Sequence, residues 1–232
     1  RVGSYAVQAK SGKFDGHAVP TAHQTRAASV MIDAKNGFAY PAIDLAIADL
    51  PELAANAVIS AAGLTRSHHG GVMGRHCERL AEKGLIALAF SNTPHAMTSW
   101  GGRKPVFGTN PIAFAAPLDD RPPVVIDLAL SQVARGKIMT AAQKGESIPA
   151  GWAFDEHGQP TTDANAALKG TLVPLGGAKG SALAMMVEIL AAGLTGACFA
   201  SEASSFFDGD GPPPGVGQLL LTIDPGAFAG RE

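Results

Sequence analysis

Cysteine is scarce: Cys77 and Cys198 stand far apart in 232 residues, and no CxxC pair exists. A disulfide scaffold is thereby excluded, a reducing compartment fits better, and the cytoplasm is the expected location. Aromatic residues are also few, at 6%. Charge is sparse and balanced, with 16% charged residues, a formal net charge of -2 and no basic stripe, which excludes nucleic acid as a partner. No apolar run reaches membrane-spanning length. The richest one, SALAMMVEILAAGLTGA, carries Glu188 and two interior glycines, so it reads as a buried soluble helix and no membrane partner is expected. An initiator Met is missing as well. The opening RVGSYAVQAKSGK reads as the tail of a helix, so the chain is expected to be a fragment, and no targeting peptide can be judged from it.

Two nucleotide signatures are absent. No GxGxxG lies between a strand and a helix, which argues against a Rossmann dinucleotide site. Gly176-Gly177-Ala178-Lys179-Gly180 precedes a helix but lacks the spacing and the Ser/Thr of a Walker loop, which disfavours a nucleotide triphosphatase. That turn and GGVMG at 70 to 74 remain open to two readings, a tight strand-to-helix connection or a backbone N–H site for an anion.

What is present is a 46% hydrophobic composition, enough for a sizeable core. Val2, Tyr5, Ala6 and Ala9 share a helical face that Ser11-Gly12 ends. VMID at 30 to 33 predicts a strand. PAIDLAIADLPELAAN predicts an amphipathic helix that Pro51 kinks or divides. VISAAGLT predicts a strand running into RSHHGG, and a helix follows from Gly71 to Lys83. Further strands are predicted at Leu85 to Phe90, Phe107 to Ala115, Val124 to Leu128 and GQLLLTID, with helices near Ser131 to Lys144 and Lys179 to Leu194. This alternation predicts an α/β class. SEASSFFDGDGPPPGVG predicts a mobile surface loop. Met185 and Met186 are expected in the core, with Trp100 and Trp152 as packing or interface aromatics.

Within RSHHGG, successive side chains of an extended strand point to opposite faces, so His68 and His69 cannot both enter one pocket unless the backbone bends. A metal reading would gather His68, His69, His76 and Cys77, but no Asp or Glu completes a familiar ligand spacing, and no metal is expected.

In order, SHHGG, SNTPHAMTSWGG, FGTNPIAFAAP, IDLALSQVARGKI, IPAGWAFDEHGQPTTD and LVPLGGAKGSALAMMVEIL resemble the malate/L-lactate dehydrogenase family of NAD(P)-dependent oxidoreductases. Within it, the cyclic imino acid reductases look most similar. The resemblance implies a non-Rossmann α/β fold with a large central mixed sheet flanked by helices, residues 1–232 being one catalytic and cofactor-binding region without its N-terminal and C-terminal helical segments. It further implies NAD or NADP as cofactor, a homodimer, and a 2-oxo acid or cyclic 2-imino acid as substrate. One implied missing segment holds a Ser-His-Gly motif with a further catalytic candidate.

Residue by residue, the resemblance makes His69 the proton-transferring group, and a place near a helix N-terminus favours its neutral form. His68 is left to support the fold. Arg1 would grip the substrate carboxylate, while Thr93, Pro94 and His95 would line the substrate pocket. Gly70, Thr109, Asn110, Asp127, Leu128, Ala129 and Lys179 would contact cofactor. Leu130 stands where the family usually has Thr, which puts that hydroxyl's contact in question. The competing class is a non-catalytic cofactor-binding protein of the same fold; a metal-dependent hydrolase is the third.

Overall fold

Leu219 and Leu220 are consecutive and both buried, yet they pack into two different hydrophobic clusters. Strand alternation requires this when a sheet is covered on both faces. The computed structural model describes residues 2–228. In chain order the elements are α1 (Val2–Ser11), β1 (Thr21–Arg26), β2 (Ser29–Asp33), α2 (Ala39–Ala57), β3 (Ile59–Ser67), α3 (Met73–Ala81), β4 (Ile86–Ser91), β5 (Met97–Thr98), β6 (Pro105–Phe107), β7 (Ile112–Leu118), β8 (Arg121–Leu128), α4 (Arg135–Lys144), β9 (Ala153–Phe154), β10 (Pro160–Thr161), α5 (Ala164–Lys169), β11 (Thr171–Leu172), α6 (Ala178–Glu188), a π-helical turn at Ile189–Gly193, and β12 (Val216–Ile223).

Seven strands form the main sheet in the order β1-β2-β3-β12-β4-β7-β8. Only β2 and β3 pair in parallel, and the other neighbours are antiparallel, so the sheet is mixed as expected. On one face α2 and α3 press Ile43, Ile47, Leu50 and Leu80 against Ile32, Leu64 and Leu220. On the other, α4, α5 and α6 and a small sheet ordered β10-β9-β11-β5-β6 enclose Phe90, Met97, Leu130, Ile138, Val187 and Leu219.

Several expectations change in detail. Pro51 lies inside α2 without dividing it, because Ile47, Leu50 and Ala54 hold one buried stripe on both sides of it. The stretch 107 to 115 is not one strand: Phe107 ends β6 in the small sheet and Ile112 opens β7 in the large one. A Cβ at Gly108 would lie 2.2 Å from the Thr93 hydroxyl, and Asn110 has φ 38°, so the chain must turn between them. Met185 and Met186 are exposed rather than buried, on the outward side of α6. The segment from 201 to 215 is irregular but tied down. Lys13, its side chain fully buried, places Nζ 2.9 Å from the Asp208 carboxylate, Gln8 Nε2 donates to the Phe206 carbonyl at 2.7 Å, and Phe206 is itself buried.

Leu220→Ala removes a fully buried side chain from the central strand and is expected to cost about 2–5 kcal/mol in urea unfolding. A loss no larger than that of a surface substitution would contradict the assignment of β12 to the core.

Candidate active site

Strand pairing gathers the site at one edge of the sheet. β12 starts with Val216 opposite Ser67, the end of β3, and Gln218 stands opposite Ser91, the end of β4. Phe90 pairs with Ile112 at the start of β7, and Ile112 pairs with Leu128 at the end of β8. The turns that leave these strand ends surround a cavity of about 520 Å³. His69, Gly70, Thr93, Pro94 and His95 line it, together with Thr109, Asp127 and Ala129.

The two histidines part as expected, although both stand just past the end of β3. His68 is buried between Phe14, Phe38 and Phe206, and its Nε2 is 2.9 Å from Gln8 Oε1. Since the Gln8 amide nitrogen donates to the Phe206 carbonyl, its oxygen must accept, and His68 carries its proton on Nε2. Burial first, then the nearby Lys13 ammonium, push the His68 pKa down to about 4. His69 faces the cavity. Its Nδ1 lies 2.7 Å from the Tyr5 hydroxyl and 3.2 Å from the Gly71 N–H. A backbone N–H can only donate, so Nδ1 accepts and the neutral ring holds its proton on Nε2. The turn itself needs glycine: Gly71 has φ 75°, and a Cβ there would meet the Tyr40 hydroxyl at 2.3 Å. His76, on α3, fixes the same turn from beneath through Nε2 to the Gly70 carbonyl at 2.8 Å.

Asp127 Oδ2 accepts from the Gly74 N–H at 2.8 Å, so this carboxylate caps α3 from a neighbouring strand. His95 Nδ1 is 3.2 Å from the Ala200 carbonyl, which can only accept, so this ring holds its proton on Nδ1. Thr93 Oγ1 accepts from the Thr109 N–H at 3.0 Å and couples the two turns.

Asn110, Leu128, Leu130 and Lys179 are not among the residues that line the cavity. Asn110 is fully buried and donates to Glu188 and to the Ala184 carbonyl, while Leu128 is exposed at the edge of the cavity's neighbouring strand. Lys179 sits exposed in the first turn of α6. Arg1 lies outside the described residues. Leu130 packs into the second core and takes no part in the cavity lining.

Three residues that shape the cavity carried no functional signal in the motif series. Arg135 lines it, donating from Nη2 to the Leu168 carbonyl at 2.7 Å, and burial pushes its pKa down. Phe206 closes the side against His69, with ring centroids 5.5 Å apart. Glu188 is buried behind the cavity wall; in the sequence it stood out only as the one charge in the apolar run from Ser181 to Ala197, with nothing to tie it to a site.

The low His68 pKa makes stability depend on pH. The unfolded chain takes up the proton near pH 6.5 and the folded one only near 4, so stability is complete above about 6.5 and falls by about 3 kcal/mol as pH drops through 4. Urea midpoints measured along this range should show the fall, and His68→Gln should flatten it; an unchanged slope in the variant would assign it to other groups.

Residues 1–232 match the malate/L-lactate dehydrogenase family. The chain is 49% identical over 229 residues to a (2R)-3-sulfolactate dehydrogenase (NADP(+)) of Chromohalobacter salexigens, covering 99% of this chain and 68% of that protein. It is 44% identical over 237 residues to a Delta(1)-pyrroline-2-carboxylate/Delta(1)-piperideine-2-carboxylate reductase of Pseudomonas putida, covering 100% of this chain and 68% of that one. Among solved structures, delta1-piperideine-2-carboxylate reductase from Pseudomonas syringae superimposes with a TM-score of 0.94 at 43% identity, over 100% of this chain and 70% of the other. With a matching family over its whole length, close relatives and a shared fold, this chain belongs to the malate/L-lactate dehydrogenase family.

Proposed function

We propose that this chain is the catalytic and cofactor-binding region of an NAD(P)-dependent oxidoreductase that reduces a 2-oxo acid or a cyclic 2-imino acid. The observation that carries this reading is the cavity that His69, held as its Nε2–H tautomer, lines together with the polar residues Thr93 and His95. Relatives named for sulfolactate and for pyrroline- and piperideine-2-carboxylate supply the substrate class.

The donor set suits a nicotinamide dinucleotide. The Gly70 turn offers backbone N–H groups, Thr93 and Thr109 offer hydroxyls, Asp127 a carboxylate, and Arg135 a guanidinium that pairs with no carboxylate among the described residues. When bound, NAD(P)H supplies the hydride that reduces the carbon beside the carboxylate. Arg1 holds that carboxylate in this reading. His69 directs Nε2–H at the substrate oxygen or ring nitrogen, and as this proton leaves, Nδ1 takes another from the Tyr5 hydroxyl, so the ring stays neutral. Tyr5 recovers its proton from solvent. Pro94 and Phe206 supply apolar lining on which a substrate ring or carbon chain can pack.

We infer further that the protein acts as a homodimer in the cytoplasm. Support for the dimer comes from β8, the last strand of the sheet order, whose Val124, Val125, Ile126 and Leu128 are 38% to 48% exposed. Cys77 and Cys198 are both free thiols, which suits a reducing compartment, and recovery from an oxidising one would contradict it. Sedimentation should give twice the chain mass, and Ile126→Lys should shift it toward one; a wild-type monomer at micromolar concentration would overturn the dimer.

Mixing the protein with NADH or NADPH and a panel of pyruvate, oxaloacetate and the two cyclic imino acids should oxidise cofactor with at least one pair. His69→Asn should then lower turnover by about 10²–10⁴-fold while nicotinamide fluorescence still reports cofactor binding. Silence across the whole panel would end the reading of function, and undiminished turnover in the variant would remove His69 from it.

A further inference from the structure

Glu188 ends α6, immediately before the π-helical turn, and is 6% exposed. Its carboxylate meets donors from three separate segments. Oε1 accepts from Asn92 Nδ2 at 3.3 Å and from the Ala200 N–H at 2.5 Å, and Oε2 accepts from Asn110 Nδ2 at 2.8 Å. None of these atoms lines the cavity, but each belongs to a residue joined directly to one that does.

The first connection runs through Ala200, whose carbonyl accepts from both the backbone N–H and the Nδ1 of His95, at 3.0 and 3.2 Å. A ring held through Nδ1–H presents Nε2 as an acceptor in its neutral form. The second runs through Asn92, whose Oδ1 accepts from the Gly217 N–H at 2.9 Å and whose Nδ2 also donates to the Cys198 carbonyl at 2.9 Å; Thr93 is the next residue. The third runs through Asn110, held at φ 38° beside Thr109. Because all the partners donate, only a group with two acceptor oxygens satisfies them together.

Resting on the reading of the cavity as the reducing site, we propose that Glu188 is a positioning residue of that site: one buried carboxylate sets the places of Thr93, His95 and Thr109, and with them substrate affinity. Glu188→Gln keeps the size of the side chain but turns one acceptor into a donor. Its amide nitrogen then faces Asn110 Nδ2, and rotating the Asn110 amide to compensate would set Oδ1 against the Ala184 carbonyl, where Nδ2 now donates at 3.0 Å.

The test compares wild type, Glu188→Gln, Glu188→Asp and Leu220→Ala in the intact protein, at a temperature where circular dichroism reports each folded. Leu220→Ala is the control for lost stability without a change at the site. Glu188→Gln should raise substrate KM about tenfold or more and should lose the Nδ1–H signature of His95 in nitrogen-15 NMR, while Leu220→Ala keeps both. Glu188→Asp retains two acceptors on a shorter stem and should fall between. If Glu188→Gln does not fold, Glu188→Asp against wild type carries the comparison. Wild-type KM together with a wild-type His95 spectrum in the Glu188 variants overturns the assignment. Should the wild-type protein reduce nothing, the reading of function fails by itself, and the His95 spectrum still decides the role of Glu188.

Discussion

The position of β12 is the constraint on which the rest of the molecule depends. It fills the gap between β3 and β4 and runs antiparallel to both, so its first residues must lie beside the last residues of each. The turn with His68 and His69, the turn with Thr93 and His95, and the irregular segment ending at Gly215 are thereby forced to one edge of the sheet. Hydrophobic burial fixes the strand, since both of its faces are covered, and the polar edge follows from the pairing.

Around that edge the protein places an unusual amount of buried polarity. Lys13, Gln8, His68, Asn92, Asn110, Glu188 and Gln218 are all buried, and such groups cost stability unless their hydrogen bonds are met. Most are met by atoms distant in sequence, such as Lys13 with Asp208 and Gln8 with Phe206. The bonds therefore act as ties between segments that hydrophobic packing alone would leave free to slide. His68 is the informative member. It is almost wholly buried and is neutral near pH 7, so the sequence pair His68-His69 divides into one residue that holds the wall and one that faces the cavity.

Much of this was legible in the sequence, for identifiable reasons. Long elements with clear periodicity, such as α2 and β12, are read from burial patterns because a single face or alternation decides them. Alternation anticipates the split between His68 and His69, although both stand past the end of β3, and the glycines of the following turn mark a backbone that no side chain could share. Elements of two residues, which make up most of the small sheet, leave no periodicity to read, and β1 is a polar, largely exposed edge strand with no alternation. The break between Phe107 and Ile112 was hidden because apolar residues continue on both sides of it; what forces it is the contact of Gly108 with Thr93, fifteen residues earlier in the chain. Glu188 could be noticed as an isolated charge, but its partners come from three distant segments and only the fold brings them together.

The late arrival of β12 also bears on how the chain is made. Ser91 and Gln218 are neighbours in the sheet, yet more than one hundred residues separate them in the sequence. At ribosomal rates of roughly 5–20 residues per second, β3 and β4 wait on the order of ten seconds with open edges before the strand between them emerges. Their apolar side chains and unpaired backbone are exposed during that interval, when a wrong partner is most dangerous. When the strand arrives, one closing step completes both the core and the cavity.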